Sequence, residues 1–266
     1  MLTRRALIAA AALTSAAARA QGDLPALIER ARTSVVPVGT YNPTDSPRFG
    51  FRGSGFAVGD GSVVVTNFHV LPSGANAESG PRPADAGPRM AVLHLPQRGA
   101  APELRLASVI ATERTRDLAL LKIDGAPLPA LPLDEPGSAR EGQAVALMGF
   151  PIGGALGFSM VTHRGIVAAI TTAALPAPSA GNLDPRAIAR LREGNFELLQ
   201  LDATAYPGNS GGPLLDEASG RVVGVINMVL VKAGRESALA SPTGITYAVP
   251  VRHLLALMAE AKVAPR

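Results

Sequence analysis

Gly208-Asn209-Ser210-Gly211-Gly212-Pro213 is the stretch on which the reading of this chain turns. Small residues on both sides of Ser210 let the backbone turn tightly, so that the hydroxyl projects and the amides of Gly208 and Ser210 converge on one point. Two convergent amides suit a developing oxyanion, so the hexapeptide points to a nucleophilic serine with Gly208 and Ser210 as oxyanion-hole donors. The plain alternative is a glycine-rich β-turn with an incidental serine. Gly-X-Ser-Gly alone would leave the two readings level, and the full hexapeptide separates them.

A hydroxyl is a poor nucleophile at neutral pH, so the motif requires a general base and a carboxylate to orient it. Both lie upstream. His69 closes Ser62-Val63-Val64-Val65-Thr66-Asn67-Phe68-His69, which follows Gly53-Ser54-Gly55-Phe56-Ala57-Val58 across an Asp60-Gly61 hairpin signal. Position 69 thus falls just past a buried strand. Asp117 stands at the mouth of another apolar strand, Leu118-Ala119-Leu120-Leu121-Lys122-Ile123. Taken singly, these are a packed histidine and a strand-start aspartate; the ordered set of His69, Asp117 and Ser210 carries the signal.

Punctuation sets the fold class. The 28 glycines and 23 prolines divide many short Val, Leu and Ile runs, an all-β signature. Two helices are predicted beside the strands. One is short, near Leu24 to Ala31; the other closes the chain, with Leu254, Leu255, Leu257 and Met258 at helical spacing.

Taken together, these segments resemble the chymotrypsin-like superfamily and, within it, the high-temperature-requirement (HtrA/Deg) serine proteases of bacterial envelopes and organelles. The likeness is carried by Gly53-Ser54-Gly55-Phe56, Thr66-Asn67-Phe68-His69-Val70, Asp117-Leu118-Ala119-Leu120-Leu121-Lys122, Gly149-Phe150-Pro151, Gly165-Ile166-Val167, Asp202-Ala203 through Pro213, and Tyr247-Ala248-Val249-Pro250. It implies two six-stranded antiparallel β-barrels of the trypsin-like kind. The first would run from about Val35 to Leu133 with His69 and Asp117, the second from about Gly142 to Pro250 with Ser210, and a C-terminal helix would cover about 251–262. By the same resemblance His69 is the general base, Asp117 its orienting partner, and Ser210 the nucleophile of an endopeptidase acting on unfolded or damaged proteins. Activity that falls in acid, as the imidazole takes up a proton, follows from that base.

The departures from the family are informative too. Its members usually carry PDZ domains after the protease domain, whereas this sequence ends sixteen residues after Pro250, so a stand-alone domain over 21–266 is expected. Tyr206 stands four places before the nucleophile, where the family more often has a small or amide residue. Trypsin-like enzymes with a basic preference have an aspartate six residues before the serine; Thr204 occupies that position here, so no carboxylate is available for a substrate arginine or lysine. Met228 and Val229 are bulky where wide pockets carry glycine. Thr204, Tyr206, Met228 and Val229 are therefore expected to wall a shallow pocket for small aliphatic side chains. Glutamate-specific relatives place a histidine where this chain has Ile226, which ranks acidic specificity lower. Asn209 replaces the aspartate that pairs with a new N-terminus in trypsin-like zymogens, so no such activation cleavage is expected.

The first twenty residues read as a module of their own. Arg4-Arg5, an apolar run from Ala6 to Leu13 and Ala18-Arg19-Ala20 form a secretory signal peptide over 1–20, cleaved before Gln21. The apolar run falls well short of the roughly 20 residues a spanning helix needs. The paired arginines leave Sec and twin-arginine export both open, and the destination is the periplasm or the exterior. Removing this segment takes away Arg4, Arg5 and Arg19 and no acidic residue, so formal charge falls from 25 − 21 = +4 to 22 − 21 = +1. The basic character of the whole chain thus gives no support for nucleic-acid or membrane-surface binding. Arg186, Arg190 and Arg192 read as a solvated group.

With no cysteine in an exported chain, stability must come from the core without disulfides. No cofactor and no metal site is expected, because His94, His163 and His253 are scattered without a ligand pattern; His163 is the one placed to edge a cleft. The glycine-rich hexapeptide is no phosphate loop, since no Lys-Ser/Thr follows it. Surface loops are expected at 72–88 and 177–195, the second resembling the family region that sets up the oxyanion hole. Two rival readings share these residues: a catalytically idle trypsin-fold peptide-binding or regulatory module, and an esterase-like hydrolase using the same triad. Protein or peptide partners are expected in either protease or module, and the oligomeric state is open.

Overall fold

A computed structural model describes residues 23–72, 87–97, 99–151, 153, 157–172, 196–227 and 244–265. The segment read as a signal peptide, most of 72–88, the segment 177–195 expected as a loop with its arginines, and the expected pocket residues Met228 and Val229 lie outside the described residues.

A helix, α1 (Leu24–Arg32), leads into β1 (Val35–Tyr41), β2 (Phe49–Val58) and β3 (Val63–Thr66). A one-turn 3-10 helix (Phe68–Val70) follows, then β4 (Arg89–His94), β5 (Glu103–Glu113) and β6 (Leu118–Ile123). The second half holds β7 (Ala144–Gly149), β8 (Val161–Thr172), β9 (Glu197–Asp202), β10 (Pro213–Asp216), β11 (Val222–Asn227), β12 (Ile245–Pro250) and α2 (Val251–Glu260). The strands close into two antiparallel barrels, in the orders β1-β2-β3-β6-β5-β4 and β7-β8-β9-β12-β11-β10. The second order repeats the first, six strands on. The all-β, two-barrel expectation with a helix at each end holds.

Local chemistry explains the hairpin that leads to His69. Gly59 and Gly61 take positive φ of 64° and 89°, and Asp60 Oδ1 accepts from the Ser62 amide at 2.9 Å. That turn sets β2 against β3 with Phe56 opposite Val65 and Val58 opposite Val63.

The alternation of side chains along each strand then divides the core in three. Val64 of β3 and Leu121 of β6 point into the first barrel with Val36, Val38 and Val92. Val145, Leu147, Leu201, Leu214 and Val223 fill the second. The opposite faces, Val65, Leu118 and Leu120 from one barrel and Met148, Leu215 and Val225 from the other, join Phe56, Phe150, Leu254 and Met258 in a shared cluster. Leu118, Leu120 and Leu215 are fully buried there, so truncating Leu120 to alanine would cost about 2–5 kcal/mol and loosen the seam between barrels. Helix α2 seals the seam with Val251, Leu254, Leu257 and Met258, which is why its apolar residues fall on one face.

Candidate active site

His69 and Asp117 are brought together by the first barrel. The imidazole sits in the 3-10 turn after β3, and Asp117 precedes β6, which pairs with β3. Asp117 has φ +56°, a left-handed conformation that aspartate tolerates better than most side chains. Its carbonyl accepts from the Phe68 amide at 3.1 Å and from Asn67 Nδ2 at 2.9 Å, tying the two loops together through the main chain. The carboxylate then takes three donors. Oδ1 accepts from the His69 amide at 2.8 Å, and Oδ2 lies 2.5 Å from His69 Nδ1 and accepts from Asn227 Nδ2 at 2.7 Å. This arrangement puts the imidazole proton on Nδ1 and leaves Nε2 as an acceptor. The His69 side chain is 28% exposed and that of Asp117 11%, so the imidazole reaches the surface while its carboxylate partner is largely enclosed.

Arg52 of β2 braces the same turn. Its guanidinium donates to the carbonyls of Val70 and Leu71, the latter at 2.9 Å. These are carbonyls at the C-terminal end of the one-turn helix, where a cation complements the unpaired acceptors.

Ser210 is held by the second barrel and stapled to the first. Gly208 has φ +104°, and a β-carbon there would collide with the Phe150 carbonyl; Gly211 has φ +86°, and one there would collide with the Ser54 carbonyl. Both positions therefore need glycine. The Asn209 amide donates to the Tyr206 carbonyl at 3.0 Å and the Gly212 amide to the Asn209 carbonyl at 2.9 Å, which shapes the turn. Ser54 is the staple. Its amide donates to the Ser210 carbonyl at 2.8 Å, its hydroxyl donates to the Gly208 carbonyl at 2.6 Å, and that hydroxyl accepts from the Phe150 amide at 2.9 Å. Gly53 completes the junction: a β-carbon there would lie 2.7 Å from Val70, the neighbour of His69, and 3.0 Å from the Ser210 carbonyl. Among the described residues, the amides of Gly208 and Ser210 meet no acceptor.

Of the expected pocket residues, Thr204 and Tyr206 are half-buried in the approach to Gly208. The Tyr206 ring lies 5.7 Å from that of His163. His163 Nε2 is buried without a hydrogen-bond partner among the described residues, and burial lowers the pKa of this imidazole. The other histidines lie apart from the site. His94 pairs with Glu103 at 3.3 Å, and His253 packs edge-on against Phe196 at the start of α2. Burial first, then Arg116 and Arg252, push His253 down to about 4. Among the described residues no group of His, Asp and Glu is arranged to hold a metal.

Sequence reading missed three contributors, Asn227, Ser54 and Arg52. Asn227 carries a faint signal, as the one amide that ends an otherwise apolar strand, Val222-Val223-Gly224-Val225-Ile226. Ser54 and Arg52 carry none, because their partners are distant in the chain.

Fold and geometry together define a two-barrel domain with a histidine–carboxylate pair and a glycine-framed serine at the junction, and the chain belongs to the family described as the trypsin-like peptidase domain, whose model matches residues 53–225. Its relatives are HtrA-like. A probable periplasmic serine endoprotease DegP-like of Pseudomonas fluorescens is 32% identical over 199 residues, covering 75% of this chain and 32% of that protein. The mitochondrial serine protease HTRA2 of Bos taurus is 33% identical over 200 residues, covering 75% of this chain and 34% of that protein. The chain thus spans about a third of the length of these curated relatives. Among solved structures, the HtrA-type protease AlgW with a tripeptide superposes with a TM-score of 0.57 at 24% identity, covering 88% of this chain and 62% of that one. This last likeness concerns the fold.

Proposed function

We propose that this chain is a serine endopeptidase that cleaves peptide bonds by acyl transfer. Ser210 Oγ attacks the scissile carbonyl carbon while His69 Nε2 takes its proton. The tetrahedral oxyanion is received by the Gly208 and Ser210 amides. His69 then returns the proton to the departing amine, and a water molecule, activated by the same imidazole, releases the acyl group from Ser210. Asp117 keeps the imidazole in one tautomer and offsets its charge when protonated.

The observation that carries this reading is the environment of Asp117. Its carboxylate is buried and takes both the Nδ1 and main-chain donors of His69. A carboxylate fixed this way serves an imidazole whose other nitrogen must accept a proton. The free amides of Gly208 and Ser210 support the second half of the mechanism.

Substrate and location extend the proposal. Thr204 in place of an aspartate supports a preference for small aliphatic side chains over lysine or arginine, in unfolded or damaged proteins. The arginine-led apolar N-terminus and the periplasmic names of relatives support export. Casein digestion by the purified protein and by Ser210→Ala tests the activity. Cleavage by the first and none by the second is expected; equal digestion, or none by either, would return the idle peptide-binding module as the better reading.

A further inference from the structure

A cleft of about 480 Å³ opens between α1, the β4–β5 connection and the residues leading into β8. Its walls are mainly apolar: Leu95, Phe158 and Met160 are the half-buried edges of the shared core, joined by Pro102. The polar lining includes Gln97 and Arg32. Arg32 is the informative one. Its side chain is 17% exposed, and its Nη2 donates to Glu29 Oε1 at 3.3 Å, but its Nε is buried with no acceptor among the described residues. Because Nε is enclosed, a group entering the cleft meets the accessible edge of the guanidinium, whose charge is offset among the described residues by the exposed carboxylate of Glu29.

The cleft also connects with the oxyanion turn. Phe158 on its wall packs against Phe49 at 5.6 Å and Phe51 at 5.8 Å between ring centroids. Phe51 in turn lies 3.2 Å from where a β-carbon of Gly208 would stand. Two aromatic rings thus separate the cleft from a proposed oxyanion donor.

Resting on the endopeptidase reading, we propose that this cleft is an exosite for an extended segment of the polypeptide substrate that carries one acidic side chain among apolar ones. The carboxylate pairs with Arg32, and the apolar neighbours lie on Leu95, Phe158 and Met160. The cleft thus adds a preference for acidic-apolar sequence at a distance from the scissile bond, separate from the pocket beside Thr204.

Binding is measured on the full chain carrying Ser210→Ala, so that nothing is cleaved, by fluorescence anisotropy. The probes are fluorescein-labelled apolar peptides that differ only in a central Glu, Gln or Lys. The Glu peptide is expected to bind about tenfold more tightly than the other two. Adding Arg32→Gln should abolish that difference, and adding Met160→Glu should weaken all three peptides without lowering the melting temperature. Equal binding of the Glu and Gln peptides, or a Glu preference that survives Arg32→Gln, would overturn the exosite. Loss of Ser210-dependent casein cleavage would instead overturn the endopeptidase reading and leave the binding result standing.

Discussion

Asn227 of β11 donates its carboxamide N–H to Asp117 Oδ2 at 2.7 Å, so the second barrel reaches across the seam to hold the carboxylate of the first. Both residues are buried, Asn227 at 1% exposure, and the bond is shielded from water. The barrel that carries Ser210 therefore also helps to set the partner of His69.

This bond makes Asn227 a positioning residue. Asn227→Ala removes one of three donors from Asp117 and is expected to lower kcat about 10- to 100-fold, with KM little changed, on the scale of a hydrogen bond to a charged group. Asn227→Asp should be worse, because it sets a second carboxylate against the first. Steady-state kinetics on a peptide substrate decide the matter, and a wild-type kcat in both variants would remove Asn227 from the machinery.

Asp117→Asn separates geometry from charge. Asparagine tolerates the positive φ of 56°, so folding should be nearly unaffected. A carboxamide nitrogen facing Nδ1 would favour the wrong tautomer, and kcat is expected to drop by about 10⁴. Circular dichroism beside kinetics checks both halves; a folded variant with full activity would contradict the assigned role.

Gly208→Ala tests the turn. With φ +104° and the Phe150 carbonyl in the way, an added methyl must rotate or displace the 208 peptide. If that amide receives the oxyanion, kcat should fall about 10²- to 10³-fold while Ser210 stays in place. Retained kcat would exclude the Gly208 amide as an oxyanion donor.

Acid sensitivity of the fold has a source away from the site. Burial and the nearby Arg116 and Arg252 lower His253 from 6.5 to about 4. Between those values the unfolded chain binds a proton that the folded chain does not, so stability falls as pH drops from about 6.5 towards 4. Melting temperatures across that window should decline less steeply in His253→Gln. An unchanged slope would place the acid sensitivity elsewhere.

The barrels were legible because β3, β6 and β11 are short apolar runs set apart by glycine and proline, and because Asp60-Gly61 dictates a hairpin. His69, Asp117 and Ser210 were legible as an ordered set of residue types with a chemical need for one another. The bracing was not. Ser54 holds Gly208 from 154 positions away and Asn227 holds Asp117 from 110, and no local pattern marks such pairs before the barrels close. Phe51 reads as an ordinary strand aromatic until folding lays it against Gly208.

The most direct test of the central claim is covalent labelling by a fluorophosphonate, followed by mass spectrometry of the modified peptide. A serine activated by His69 should take the label at Ser210 and nowhere else, with labelling lost in Ser210→Ala and slowed by orders of magnitude in His69→Ala. Label on another residue, or a rate at Ser210 indifferent to His69, would contradict the account.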